Sequence, residues 1–149
     1  MPSPMNADLR HPLREVFERY HASWEARSPE RIAALHSPDT VFQLHDGSAP
    51  VHGRAALQQQ CAAMFAKFDF ALEPLRLFFG DGHWTFEWCM AIALRDAEGS
   101  PFTATVEMLD LVTVDARHEV TRKDVYMNGA QAMAAFSRAG IATDGGIRY

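Results

Sequence analysis

The sequence predicts an α+β fold in which a cone-shaped, curved antiparallel sheet wraps around N-terminal helices. Two observations predict it. Helix-period patterns dominate the chain up to Phe68, with one short strand among them, and from there to Met127 only strand patterns follow; helices then strands is an α+β order. The segment WTFEWCMAIALR also alternates without a break: Trp84, Phe86, Trp88, Met90, Ile92 and Leu94 share one face, and Thr85, Glu87, Cys89, Ala91, Ala93 and Arg95 share the other. A sheet with so apolar a face buries it by curling over the helices.

The elements follow in order. Leu9, Leu13, Val16, Phe17, Tyr20 and Trp24 recur at helical spacing from Asp8 to Arg27. Ser28-Pro29 opens a second, short helix as N-cap and first helical residue, carrying Ile32 and Leu35 on one face and stopped by Pro38. TVFQLH is a short strand, and DGSAPVHG a turn-rich loop. RAALQQQCAAMFAKF is a helix with Leu57, Cys61, Met64, Phe65 and Phe68 on one side. FALEPLRLFF is the least regular strand; Pro74 weakens it or places it on an edge. After WTFEWCMAIALR comes the turn DAEGSP, then a hairpin, then a last helix, GAQAMAAFSRAG, with Gly140 at its C-terminus. No repeat or linker divides the chain, which reads as a single domain over 1–149, with a loose arm at 1–7 and a loose tail at 141–149.

Composition narrows the function. A chain of 149 residues, 48% hydrophobic, can bury a proper core. A net charge of -5 and no basic stripe exclude nucleic acid as a partner and make a neutral, hydrophobic small ligand the expectation. Cys61 and Cys89 have no metal-ligand spacing and read as thiols in a reducing compartment. The N-terminus lacks an apolar signal-like run, and the longest apolar run, WCMAIAL, is too short for a bilayer. The expectation is a soluble cytoplasmic protein that does not engage a membrane. His-x-His, Cys-x-x-Cys and His-Glu-x-x-His patterns are missing, as are Gly-rich phosphate loops, so neither metal nor cofactor is expected.

The hairpin Val106–Met127 carries the chemistry. One face of its first strand holds Val106, Met108, Asp110, Val112 and Val114; the matching face of its second holds Thr121, Lys123, Val125 and Met127. A turn centred on Ala116-Arg117 pairs Lys123 directly with Asp110. A carboxylate and an amine inside two apolar stripes read either as a structural ion pair or as a working acid–base pair. Lys123 also reads as a rim lysine, or as an amine for a carbonyl substrate if its pKa is depressed. His45 and Asp46, at the mouth of the first strand, are further candidates for moving a proton. His52 reads as a loop hydrogen-bonder, His21 and His83 as edge positions, and His11, His36 and His118 as surface positions.

The layout resembles the SnoaL-like and ketosteroid-isomerase-like branch of the nuclear-transport-factor-2-like superfamily, a cystatin-like roll, from about Leu13 to Phe136. ERYHASWEARSPERIAALHSPDTVFQLHDGSAPVHGRAAL and MLDLVTVDARHEV carry the resemblance. It implies that Tyr20 and Asp110 occupy the oxyanion-hole positions of a ketosteroid isomerase and that Asp110 is the partner of the Tyr20 hydroxyl. The isomerase's general base falls on Leu44, so the proton carrier is lost, and Lys123 stands where that family is apolar. The resemblance further implies a hydrophobic pocket lined by Trp24, Phe42, Leu44, Met64, Phe68, Trp84, Phe86, Trp88, Met108, Val125 and Met127. Two readings follow. One is a cofactor-independent acid–base enzyme, an isomerase or a lyase, dehydratase or cyclase, acting on an aromatic or polycyclic carbonyl or hydroxyl compound. The other is a non-catalytic ligand-binding or assembly domain. Thr85, Cys89, Ala91, Ala93, Thr105, Leu109 and Leu111 on the outer face predict a homodimer.

Overall fold

The computed structural model describes residues 10–142. Three N-terminal helices lie against a six-stranded sheet: α1 (Arg14–Glu25), α2 (Pro29–Ala34), β1 (His36–Leu44), β2 (Val51–His52), α3 (Arg54–Lys67), β3 (Asp69–Gly80), β4 (His83–Arg95), β5 (Pro101–Val114), β6 (Val120–Met127) and α4 (Gly129–Arg138). The strand order is β2-β1-β6-β5-β4-β3, and the curved sheet does not close. Every pairing is antiparallel except β1 with β6, a parallel contact absent from the sequence expectation. The arm at 1–7, Leu9 and most of the tail at 141–149 lie outside the described residues. Ile141 within that tail donates its N–H to the Phe136 carbonyl at 2.8 Å and packs on the core. Together with the positive φ of Gly140 (71°) this closes α4 in a Schellman motif and holds Phe136 in the core.

The helix starts and stops differ from expectation for stated reasons. α1 begins at Arg14, not near Asp8, because Pro12 disfavours helical backbone at His11. Ser28 caps α2 as expected, its Oγ accepting from the Arg31 N–H at 3.3 Å. Pro38, however, does not stop α2. The helix ends at Leu35, whose carbonyl accepts from the Val120 N–H at 3.0 Å, and the chain is already in β1 at His36. Pro38 sits where β1–β6 pairing is interrupted between His36 and Val41, a place where its missing N–H is tolerated. Val51 and His52 form a small strand inside the expected loop.

The irregular strand β3 is on the edge of the sheet, and its register shifts between Pro74 and Arg76. That bulge inserts one residue. Phe70 and Leu72 then face Ile92 and Met90, and beyond the bulge Leu77 and Phe79 face Phe86 and Trp84. The inward parity switches from even to odd without turning an apolar face to water. At β4, Trp84 to Leu94 alternate buried positions as the sequence predicts.

The β5–β6 hairpin differs from expectation by two residues. Asp110 faces Val125, and Lys123 faces Val112. The connection is longer than a tight turn. Asp115 accepts at Oδ1 from the N–H groups of Arg117 (2.9 Å) and Glu119 (3.0 Å), His118 adopts φ 62°, and the register shifts again at Val114. A slip of one residue would have moved Lys123 to the outer face; a slip of two leaves it inside.

Candidate functional site

Two adjoining spaces lie between the helices and the inner face of the sheet. The larger, about 60 Å³, is almost wholly apolar. Of the residues expected there, Trp24, Phe42, Leu44, Met64, Phe68, Trp88, Met108, Val125 and Met127 line it; Phe70, Leu72, Met90, Ile92 and Phe136, which sequence reasoning did not assign, complete its wall. Among the described residues, Lys123 is the one charged residue in its lining. The smaller space, about 10 Å³, is bounded by Phe17, Tyr20, His21, Trp24, Leu72, Trp84, Phe86, Asp110 and Lys123. Trp84 and Phe86 therefore line this space and not the larger one. Trp24, Leu72 and Lys123 form the partition between the two.

Asp110 and Lys123 are both buried, at 3% and 4% exposure. Lys123 Nζ lies 3.4 Å from Asp110 Oδ2, reaching diagonally across the hairpin from its own position opposite Val112. The indole N–H of Trp88, directly across β4–β5 from Met108, donates to Asp110 Oδ1 at 2.9 Å. The Lys123 ammonium also sits 4.0 Å from the centroid of the Trp24 ring and 5.0 Å from that of Tyr20, so two aromatic faces share its charge. Burial pushes the Asp110 carboxyl above its ordinary range, with Lys123 and the Trp88 hydrogen bond pulling the other way. Burial pushes the Lys123 amine down, against the pull of Asp110 and Cys61. Both shifts favour the neutral forms, so one proton is held between two groups that each resist charge.

Tyr20 does not bond Asp110. Its hydroxyl meets His36 Nε2 at 2.8 Å, and His36 Nδ1 meets Thr40 Oγ1 at 2.8 Å. His36, expected on the surface, is fully buried. Burial, helped by the charges of Lys123 and Arg54, lowers its pKa to about 3, so the imidazole is neutral and carries one N–H. Burial also raises the Tyr20 hydroxyl well above its ordinary range; an approach from the Trp24 indole N–H, short of a hydrogen bond, opposes this. That indole N–H is buried without a hydrogen-bond partner. The signal for His36 was its even parity with Thr40, Phe42 and Leu44, hidden by the helix that seemed to run to Pro38.

His21 was also missed. It stacks on Phe17 (5.5 Å, 12°), pairs with Glu25 at 3.1 Å, and lines the smaller space beside Asp110 and Lys123. Burial lowers its pKa; Glu25 and Asp110 oppose, and Lys123 adds to the lowering. Its spacing of four from Phe17, on the face of Tyr20 and Trp24, was the available signal.

The structure does not bring His45 and Asp46 to this cluster. His45 Nε2 bonds Asp124 Oδ1 at 2.8 Å, and its ring stacks on the exposed Tyr126 at 3.9 Å, on the outer side of the sheet. Asp46 Oδ1 accepts from the Ser48 N–H at 2.9 Å and from the Ser48 hydroxyl, ordering the turn after β1. Parity explains His45, since Leu44 points inward and the next residue outward; Asp46 lies past the end of β1, in the turn.

With this geometry in view, the comparisons place the chain. The SnoaL-like domain family matches residues 17–115, and the protein belongs to that family. No curated protein matches the sequence. Among solved structures, a hypothetical protein of ketosteroid-isomerase-like fold from Catenulispora acidiphila, in complex with trimethylamine, is 20% identical and superimposes with a TM-score of 0.71 over 88% of this chain and 96% of that one. A SnoaL-like polyketide cyclase candidate from Shewanella denitrificans is 9% identical, with a TM-score of 0.73 over 85% and 98%. TerC, co-crystallised with polyporic acid, is 16% identical, with a TM-score of 0.72 over 87% and 99%. At these identities the likeness is one of fold. No helix among the described residues is long and apolar enough to cross a membrane.

Proposed function

We propose that this protein is a cofactor-independent acid–base catalyst of the isomerase or cyclase–lyase kind, acting on a small hydrophobic, aromatic carbonyl or hydroxyl compound. The observation that carries the reading is the Asp110–Lys123 pair, 3.4 Å apart and buried, with Lys123 lining an otherwise apolar pocket. A buried ion pair is often no more stabilising than an apolar pair of equal volume, so stability alone gives little reason for it. A proton shared by two groups pushed toward neutrality can be lent to a bound substrate and recovered. In this reading Lys123 and Asp110 move the proton, and the flat walls of Trp24, Phe42 and Trp88 hold the ring system. Tyr20 donates to a substrate oxygen only in the His36 tautomer whose Nε2 carries the hydrogen.

The space of about 60 Å³ is smaller than the cavity of roughly 150 Å³ known to hold benzene, so a ligand must move its walls. Met64, Met90, Met108 and Met127 line it, and methionine yields most readily. The test is α-proton exchange of a bicyclic ketone, β-tetralone, in deuterated buffer followed by NMR, with tryptophan fluorescence reporting binding. Catalysed exchange with quenching supports the proposal. Quenching without exchange leaves a ligand-binding domain.

A further inference from the structure

We infer that Lys123 is a covalent site: its amine condenses with the carbonyl carbon of a hydrophobic aldehyde or ketone bound in the apolar pocket. This rests on the pocket reading above but goes beyond proton transfer. Two observations carry it. Lys123 belongs to the partition and lines the apolar pocket, and its Nζ lies 3.4 Å from Asp110 Oδ2. The chain also carries only two lysines, Lys67 and Lys123, among fourteen basic residues; the rest are arginine. Arginine is the usual choice for a buried cation, because it keeps its charge and bonds carboxylates in two places. Among the described residues, the one interior cation beside Asp110 is instead the residue able to lose its proton and act as a nucleophile.

The step balances within the site. Asp110 takes a proton from the ammonium, and the freed nitrogen lone pair attacks the carbonyl carbon. The C–N bond forms, and the π pair moves to oxygen, which takes the proton from Asp110. Asp110 then removes one proton from nitrogen and returns it to the hydroxyl, which leaves as water. The product is a protonated imine with the original single positive charge. It stays between the Asp110 carboxylate and the Trp24 ring, which lies 4.0 Å from Nζ before reaction. Burial, which lowers the Lys123 pKa, raises the share of free amine about tenfold for each unit.

The experiment uses the full chain with cinnamaldehyde and sodium cyanoborohydride, read by peptide mass mapping. Exposed Lys67 and the terminal amine serve as internal comparisons. Expected is reductive labelling of Lys123 at least about tenfold faster than of Lys67. That preference should fall in Asp110→Asn, while Lys123→Arg carries no adduct at this position. Labelling of Lys67 at the same rate or faster overturns the inference. If Lys123 stays unlabelled while cinnamaldehyde still quenches tryptophan fluorescence, only the covalent step fails and the acid–base reading stands. If cinnamaldehyde neither labels nor binds, both fail.

Discussion

Lys123 and Asp124 are neighbours in sequence, both buried, and face opposite sides of the sheet with different partners. Lys123 points inward to Asp110, with aromatic rings around it and both side chains about 5% exposed or less. Asp124 points outward, where Arg122 bonds it at 2.9 Å and His45 at 2.8 Å, and Arg122 is 44% exposed. Burial pushes the Asp110 carboxyl up. Burial also pushes Asp124 up, but hydrogen bonds and charges from Arg122 and His45 outweigh it and hold that carboxyl below its ordinary range. The outer cluster has more partners and water nearby, so its charges are settled. The inner pair has one cation, one indole and almost no exposure, so its proton is poorly held. The same chemical types make a structural fastening on one face and a proton device on the other.

The largest expected effect separates the two faces. Asp110→Asn should lower stability by about 3–5 kcal/mol, because it leaves a buried ammonium without its counter-charge. Asp124→Asn should cost about 1–2 kcal/mol, since the partners it abandons can be solvated. Chemical denaturation of both variants makes the comparison, and equal losses would break it. Replacing the inner pair by Asp110→Leu with Lys123→Met should restore stability to near the parent or above it. It should also abolish proton exchange, a split that a purely structural pair would not show.

Next in size is a pH effect from His36. Its folded pKa of about 3 lies below the ordinary 6.5, so between these values the unfolded chain binds more protons. Stability from this group is full above 6.5 and drains as pH falls toward 3, at up to about 1.4 kcal/mol per unit. Asp110, whose pKa is raised, contributes in the opposite direction, so the difference between the parent and His36→Gln isolates the histidine. Melting curves from neutral to acidic buffer should show a shallower slope in His36→Gln; identical slopes would mean that His36 is not held neutral.

The smallest effect concerns the outer face. Leu75, Leu109 and Tyr126 line a concavity of about 500 Å³ and, with Leu111, are exposed at 38–45%; we propose that a second copy covers them. Light scattering should show a dimer for the parent and a monomer for Leu109→Asp with Leu111→Asp. A parent monomer at micromolar concentration would remove the proposal.

Much of this was legible in the residues. Strict alternation from Trp84 to Leu94 identified the inner face, and the same parity put Asp110 and Lys123 inside even though their register was off by two. A period of two forgives an even slip, so the site survived a wrong turn. What could not be read was anything set by contacts distant in sequence. His36 looked like a helix-end residue because nothing local announces that the Leu35 carbonyl joins β6. Tyr20 was given the wrong partner for the same reason. His45 and Asp46 looked close to the pocket along the chain, but one step past Leu44 is the other face of the sheet, and Asp46 is already in the turn beyond β1.

The most direct measurement is α-proton exchange of β-tetralone by Asp110→Asn protein shown to be folded by circular dichroism. Asparagine keeps the shape of the carboxyl and the Trp88 contact but holds no exchangeable acid proton. The account predicts parent-catalysed exchange that falls by roughly 10²-fold or more in this variant, while ligand-induced quenching of tryptophan fluorescence persists. Undiminished exchange by folded Asp110→Asn protein would contradict it.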